Sequence, residues 1–295
     1  MNREKRKTRA ALAAALLALA AVAAWGQGSP ARDGAAAVAG WQGPGGKPLP
    51  FRSHEEVLEF LKKAKVMSRR GIPRGITRPS LLELEKDGVQ ARAHFSDVNE
   101  EKQMAQLASG RSEIHFRDSY KFNGAAYELA RLLGLENVPP AVERFVNGRR
   151  GGVSLWIEEA FTERERVARH LQPPDKARWD QQIANMRVFD NLIYNTDRTQ
   201  ENIIIDGNWK VWMIDHTRAF RRWHELNAPQ QVSKIERAVW EKLQGLDKAE
   251  AKKRLRPYLA AYEIEAIFKR RDLLVELIRR RIVERGEDEV LFRWE

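Results

Sequence analysis

The chain has 295 residues, 43% of them hydrophobic and 32% charged, with no Cys and a formal net charge of +11. That balance excludes a globally disordered chain and any disulfide framework, so the fold must rest on an apolar core. The length suits one large domain or two lobes around a cleft, and the basic excess suits nucleic acid, acidic lipid or phosphorylated ligands.

Met1 to Arg9 carries Arg3, Lys5, Arg6, Lys7 and Arg9 against Glu4, and a run rich in Ala, Leu and Val follows from Ala10 to Trp25. A basic start, a short apolar middle and small residues at Ala21-Val22-Ala23 or Ala24-Trp25-Gly26 predict a secretory signal peptide over 1–26. The protein is then exported, periplasmic or extracellular. The alternative is an uncleaved N-terminal anchor, the one expected contact with a membrane. Cleavage after Gly26 removes five positive charges and one negative, lowering the net charge from +11 to +7. Residues 27–50, rich in Gly, Ala and Pro, read as a flexible linker.

Order is expected from Phe51. Ser53 with Glu56 makes a capping-box pattern, and the helix it starts puts Val57, Phe60 and Leu61 on one face. Leu82 and Leu84 alternate with charge, Asp87-Gly88 makes a turn, and Val89, Ala91, Ala93 and Phe95 alternate again, which predicts a hairpin over Leu81–Phe95. A polar stretch with Gly110 reads as loop, in which Arg111 and Arg117 are candidate phosphate contacts. A helix is expected over 118–133 with Gly134 as its C-cap, then a second hairpin around Asn147-Gly148. Trp179, Ile183, Met186, Phe189 and Ile193 recur at helical spacing. Strands follow at Ile203–Ile205 and Trp209–Ile214 around Asp206-Gly207, and the remainder to Arg285 is helical and basic. Arg279-Arg280-Arg281, flanked by Glu276 and Glu284, reads as a solvated helix face rather than a nucleic-acid site. The plan is α+β with two lobes, a strand-rich N-lobe over 51–160 and a mostly helical C-lobe over 161–295.

The chemistry concentrates in Asp197, Asn202 and Asp215. Asp197 and Asn202 fall on a loop between a helix and a strand, and Asp215 falls just past the partner strand. The hairpin at Asp206-Gly207 returns Asp215 toward Asn202, because paired strands lie about 5 Å apart. An acid, an amide and an acid in this order suit metal-assisted phosphoryl transfer: one carboxylate orients the attacking hydroxyl, and the other two groups hold a hard divalent cation such as Mg²⁺ or Mn²⁺. Asp and Asn also populate turns and caps, the competing explanation.

The segment Val188-Phe189-Asp190-Asn191-Leu192-Ile193-Tyr194-Asn195-Thr196-Asp197-Arg198 through Ile214-Asp215-His216 resembles the C-lobe of atypical kinases: phosphatidylinositol 3- and 4-kinases, secretory-pathway kinases and kinase toxins of bacterial persistence modules. Ala125-Ala126-Tyr127 through Leu132-Leu133-Gly134-Leu135 and Val138-Pro139-Pro140 resembles the secretory group. The resemblance covers roughly Leu81 to Phe220. It implies a two-lobed protein-kinase-like fold, ATP with Mg²⁺ or Mn²⁺ as cofactors, Asp197 as catalytic base, and Asn202 and Asp215 as metal ligands. Asp215-His216-Thr217 replaces the usual Asp-Phe-Gly.

The N-lobe departs from that pattern. No Gly-rich loop of the usual kind precedes the first hairpin. Where a phosphate-binding Lys belongs, the strand offers Arg92 and His94, with Ser96 just beyond, and Lys102 and Lys121 are the possible substitutes. The helix Glu that would pair with that Lys is expected near Asn123, where Asn stands instead. The resulting expectation is an atypical kinase transferring the ATP γ-phosphate to an unidentified hydroxyl on a protein, lipid, sugar or metabolite. The alternatives are a pseudokinase or ligand-binding scaffold, and a metal-dependent phosphoesterase.

Overall fold

The computed structural model describes residues 40–72, 79–106, 110 and 112–294. The segment 1–26, the first part of the expected linker and Arg111 lie outside the described residues. Among those described, no helix is long and apolar enough to cross a membrane.

The helix expected after Ser53 is α1 (His54–Lys63), and the Ser53 side chain accepts the Glu56 N–H at 3.1 Å. Then come β1 (Lys65–Gly71), β2 (Ser80–Lys86) and β3 (Val89–Ser96). The hairpin β2–β3 turns at Asp87-Gly88 as expected and keeps Leu82, Leu84, Ala91, Ala93 and Phe95 buried. β1 was not legible: its basic sequence has no apolar alternation, and it is held by its register against β2 from Lys65↔Glu85 to Gly71↔Ser80.

The polar stretch expected as a loop is instead a second ribbon, β4 (Asn99–Gln106) paired with β5 (Ser112–Ser119). Its polarity hides it, because the pairing rests on facing charges such as Glu101↔Arg117 as much as on apolar side chains. The helix expected from 118 starts three residues later as α2 (Lys121–Leu133), since Asp118 and Ser119 still belong to β5. It ends at Gly134, whose φ of 72° is the left-handed C-cap that glycine adopts freely. The hairpin β6 (Ala141–Val146) and β7 (Arg149–Leu155) completes an antiparallel sheet of order β1-β2-β3-β7-β6.

A short β8 (Phe161–Thr162) leads into α3 (Glu163–Ala168), then the long α4 (Lys176–Leu192). The hairpin β9 (Ile203–Ile205) and β10 (Val211–Met213) follows; Trp209, expected in the strand, sits in its turn with φ 60°. After β11 (Ile235–Glu236) come α5 (Arg237–Gln244), α6 (Lys248–Leu255) and α7 (Ala261–Arg285), which stops at Gly286. Arg279 and Arg280 are exposed on α7, the solvated face their flanking acids suggested.

Two cores hold the protein. One lies under the five-stranded sheet, with α1, Phe95 and Val153. The other fills the helical lobe and is built on α2, α4 and α7. The boundary between cores does not follow the sequence. Helix α2 lies within the range expected for the N-lobe, yet Phe122, Ala126, Leu129 and Leu133 belong to the helical core. Its Gly124 backs directly onto the Tyr258 ring, 2.5 Å from where a Cβ would sit. Conversely, Trp212 of β10 packs into the sheet core. The segment 40–50, expected as linker, is ordered: Trp41 is buried with its ring 5.6 Å from that of Trp212, and Leu49 N–H donates to Trp41 O. Burying one large aromatic offsets the flexibility of the surrounding glycines.

Candidate active site

The strand ends and loops that carry Asp197, Asn202 and Asp215 are sewn together by one guanidinium. Arg198, following Asp197, donates from Nη1 to Asn202 O at 2.7 Å and to Ile214 O at 2.8 Å. Its Nε and Nη2 hold Asp190 at the end of α4, at 3.0 Å each. Its Nη2 also lies 3.0 Å from His216 Nε2. The Ile214 N–H donates to Asn202 O at 3.2 Å, so the two backbone segments meet as the hairpin geometry predicted. A planar fork with five donors suits this task, which a Lys point charge would not perform.

Within this frame, Asn202 is buried and its Nδ2 donates to Asp197 O at 2.8 Å. Its Oδ1 has no hydrogen-bond partner among the described residues. Asp215 is exposed, with a left-handed backbone (φ 51°) that Asp tolerates better than most residues, and its Oδ1 accepts the Thr217 hydroxyl at 2.9 Å. Asn202 and Asp215 line the same open pocket of about 150 Å³, together with His94, Asn123 and Ser154. The rest of its wall is apolar, including Val138, Leu155, Ile157, Ile204 and Met213. Asp197 is half-buried beside it, with Arg218 3.9 Å away. Burial raises the Asp197 carboxyl above its ordinary range; Arg218 opposes the rise and Asp215 adds to it.

The other predicted residues lie elsewhere. Arg92 donates from Nε to the fully buried Glu158 at 2.8 Å and is not among the residues lining the pocket. Lys102 is exposed on β4, paired with Glu100 at 2.6 Å. Lys121 opens α2 without lining the pocket. Arg117 is committed to the buried Glu263 of α7.

Four side chains matter more than sequence spacing suggested. Asn123 is buried, and its Oδ1 accepts the His216 N–H at 2.8 Å, which ties α2 to the residue after Asp215. His94 reaches the pocket from β3; burial lowers its pKa and the Asp215 charge partly restores it. Asp118 at the end of β5 is raised by burial, the Asp215 charge adding to the rise and Arg218 opposing it. Its Oδ1 is buried without a partner. His216 is buried and held well below its ordinary pKa by desolvation and by Arg198. Because Arg only donates, the His216 Nε2 must accept, which puts the ring proton on Nδ1. The one signal available for Arg198 was its place next to Asp197; its reach to Asp190 needs the end of α4 to be known.

Among the described residues no cluster of three or more His, Cys, Asp or Glu could cage an ion. Two oxygen donors from Asn202 and Asp215 fit Mg²⁺ or Mn²⁺, which are commonly held by one or two protein groups with the remaining positions left to phosphate oxygens and water. They do not fit a structural zinc site, which takes four protein ligands.

No protein-family model and no curated protein matches the chain. Among solved structures, a hydra Fam20 protein determined with sugar matches with 16% identity, covering 81% of this chain and 92% of that one at a TM-score of 0.61. A Helicobacter pylori proinflammatory kinase, CtkA, matches with 9% identity, 77% of this chain and 99% of that one at a TM-score of 0.48, too slight a likeness to add weight. The likeness to the Fam20 structure shows the fold alone, a two-lobed, protein-kinase-like one with a strand-rich N-lobe and a helical C-lobe.

Proposed function

We propose that this protein is an atypical metal-dependent kinase that transfers the ATP γ-phosphate to a hydroxyl acceptor. The observation that carries the reading is the convergence of Asn202 and Asp215 on one pocket, with Asp197 tied to Asn202 beside it. Asn202 Oδ1 and the Asp215 carboxylate are the groups that would hold the ion, whose contribution is to neutralise phosphate charge. Asp197 would orient the acceptor hydroxyl and take up its proton. A carboxyl raised by burial is better matched to that role than one at its ordinary value. The apolar wall of Val138, Leu155, Ile204 and Met213 suits a flat base. The basic and apolar start of the chain supports export, with 1–26 as the signal, so a working enzyme would need a nucleotide source outside the cytoplasm.

A specific observation favours a second reading, a nucleotide-binding scaffold without turnover: no Lys or Arg is among the described residues lining the pocket. Incubation with γ-labelled ATP and Mn²⁺ against protein, lipid, sugar and metabolite acceptors separates the two. A kinase labels an acceptor, and Asp197→Ala lowers the rate by about 10²–10⁴-fold while keeping Mn·ATP binding. Mn·ATP binding with no label in any acceptor supports the scaffold.

A further inference from the structure

Arg218 stands three residues after Asp215, on a segment with a fixed backbone. The Ala219 N–H donates to His216 O at 2.9 Å, and the Phe220 N–H donates to Ile193 O at 2.6 Å. The Thr196 hydroxyl donates to Arg218 O at 3.1 Å, which ties the residue before Asp197 to the same segment. The guanidinium is clamped as well. Its Nη2 donates to Glu113 of β5 at 2.5 Å, and its central carbon lies 5.3 Å from the centre of the Phe116 ring.

The other end of the fork points at the chemistry. Nη1 makes no hydrogen bond among the described residues, and it lies 3.9 Å from Asp197 Oδ1. A direct hydrogen bond closes at about 2.7–3.2 Å, so the two groups face each other across a gap. An arginine that served only to dock the ribbon through Glu113 would not need this end beside Asp197. One that served only to offset the Asp197 charge would close the gap. In phosphoryl transfer, charge spreads over the three equatorial oxygens of the group in flight, and donors already fixed in place stabilise it without reorganising. Asp197, as the group that takes the acceptor's proton, adjoins the point where the acceptor oxygen meets phosphorus.

We propose that Arg218 is a further catalytic residue, whose Nη1 donates a hydrogen bond to the phosphoryl group as it passes from ATP to the acceptor. The acceptor oxygen bonds to the γ-phosphorus while the bond from that phosphorus to the β,γ-bridging oxygen breaks. The hydroxyl proton goes to Asp197, and ADP leaves with the electron pair of the broken bond. Glu113 is a positioning residue that holds the guanidinium in place from behind. The inference rests on the kinase reading of the site and adds to it a cation supplied by the helical lobe.

The test is calorimetric titration of the full chain with Mn·ADP, with and without aluminium fluoride, which mimics the phosphoryl group in flight. In the unsubstituted protein aluminium fluoride should strengthen Mn·ADP binding by about 10-fold or more, because a transition-state mimic gains contacts that the ground state lacks. Arg218→Gln should keep the Mn·ADP affinity within about threefold and lose that strengthening. Strengthening retained in the folded variant overturns the role given to Arg218. So does a variant that weakens Mn·ADP alone and with the fluoride by the same factor, the signature of a structural role. Mn·ADP binding that aluminium fluoride leaves unchanged in the unsubstituted protein overturns this inference and leaves the nucleotide pocket standing. Absence of Mn·ADP binding overturns both. Should Arg218→Gln not fold, Arg218→Ala is read on the same terms.

Discussion

Asn123 and His216 stand 93 positions apart in the chain, yet the Asn123 Oδ1 accepts the His216 backbone N–H at 2.8 Å. That bond joins the helix between the two hairpins to the residue after Asp215. It is buried at both ends, so it is paid for whenever its acceptor is removed. Asn123→Ala should cost about 1–3 kcal/mol, the penalty of an orphaned buried donor. At about 2–4 °C per kcal/mol for a domain of this size, thermal unfolding reads the loss directly. Asn123→Asp keeps an acceptor and should recover part of it. An Ala variant melting with the unsubstituted protein would deny the bond its role.

Arg198 carries a larger share. It is about one-tenth exposed, as is its partner Asp190, and it also satisfies two backbone carbonyls. Arg198→Lys keeps the charge but not the fork, and should destabilise by about 3 kcal/mol, in the range for a broken buried pair. Denaturant titration measures this. A loss below about 0.5 kcal/mol would mean that the loop holds its shape without the guanidinium.

Stability should fall on the acid side, and the sign follows from His216. Its folded-state pKa lies well below the ordinary 6.5, so the unfolded chain takes up a proton that the folded chain refuses. The contribution is complete above about pH 6.5 and is lost as pH falls below it, by up to about 1.4 kcal/mol per pH unit for one proton. His54 and His94 shift in the same direction and steepen the slope. Unfolding free energies from pH 7.5 to 5 check this, and His216→Asn should flatten the acid limb. A flat profile in the unsubstituted protein contradicts the buried neutral imidazole.

The ribbon β4–β5 reaches the helical lobe through Glu113, which accepts from Arg218 at 2.5 Å and is ion-paired with Arg221 at 2.6 Å. It is also joined there by the Ser119 N–H, which donates to Thr217 O at 2.9 Å. Glu113→Ala removes the ionic part of that dock. Amide hydrogen exchange of β5 should accelerate, while the β2–β3 amides stay as protected as before. Unchanged protection across β5 would show that the ribbon is held by its backbone contacts and by Phe116 alone.

How much of this was legible in the sequence depended on the kind of signal. Alternation and turn chemistry marked β2–β3 and β6–β7, and helical spacing marked α4, because one apolar face had to be buried. The ribbon β4–β5 and strand β1 left no such trace, since charge pairing and a neighbouring strand hold them. Trp41 gave no warning that 40–50 would be ordered, because its partner Trp212 lies 171 residues away. Asp197, Asn202 and Asp215 stand out by their order, and the hairpin between them brings Asn202 and Asp215 to one pocket. The candidates for a phosphate-binding cation, Arg92, Lys102 and Lys121, were chosen by position along the chain, which says nothing of what else competes for them. Glu158 and Glu100 claim two of them. The roles of Asn123 and Arg198 depend on contacts between distant segments, which local patterns do not encode.

If Asn202 and Asp215 grip a divalent ion that in turn holds a nucleotide, ligand binding must stabilise the fold through those two side chains. Thermal unfolding of the protein with and without Mn·ATP tests it most directly. At a ligand concentration about 100-fold above Kd, binding should add about 2.7 kcal/mol, or about 5–10 °C. That shift is expected in the unsubstituted protein and is lost in Asp215→Ala; an equal shift in both proteins would rule out the ion site.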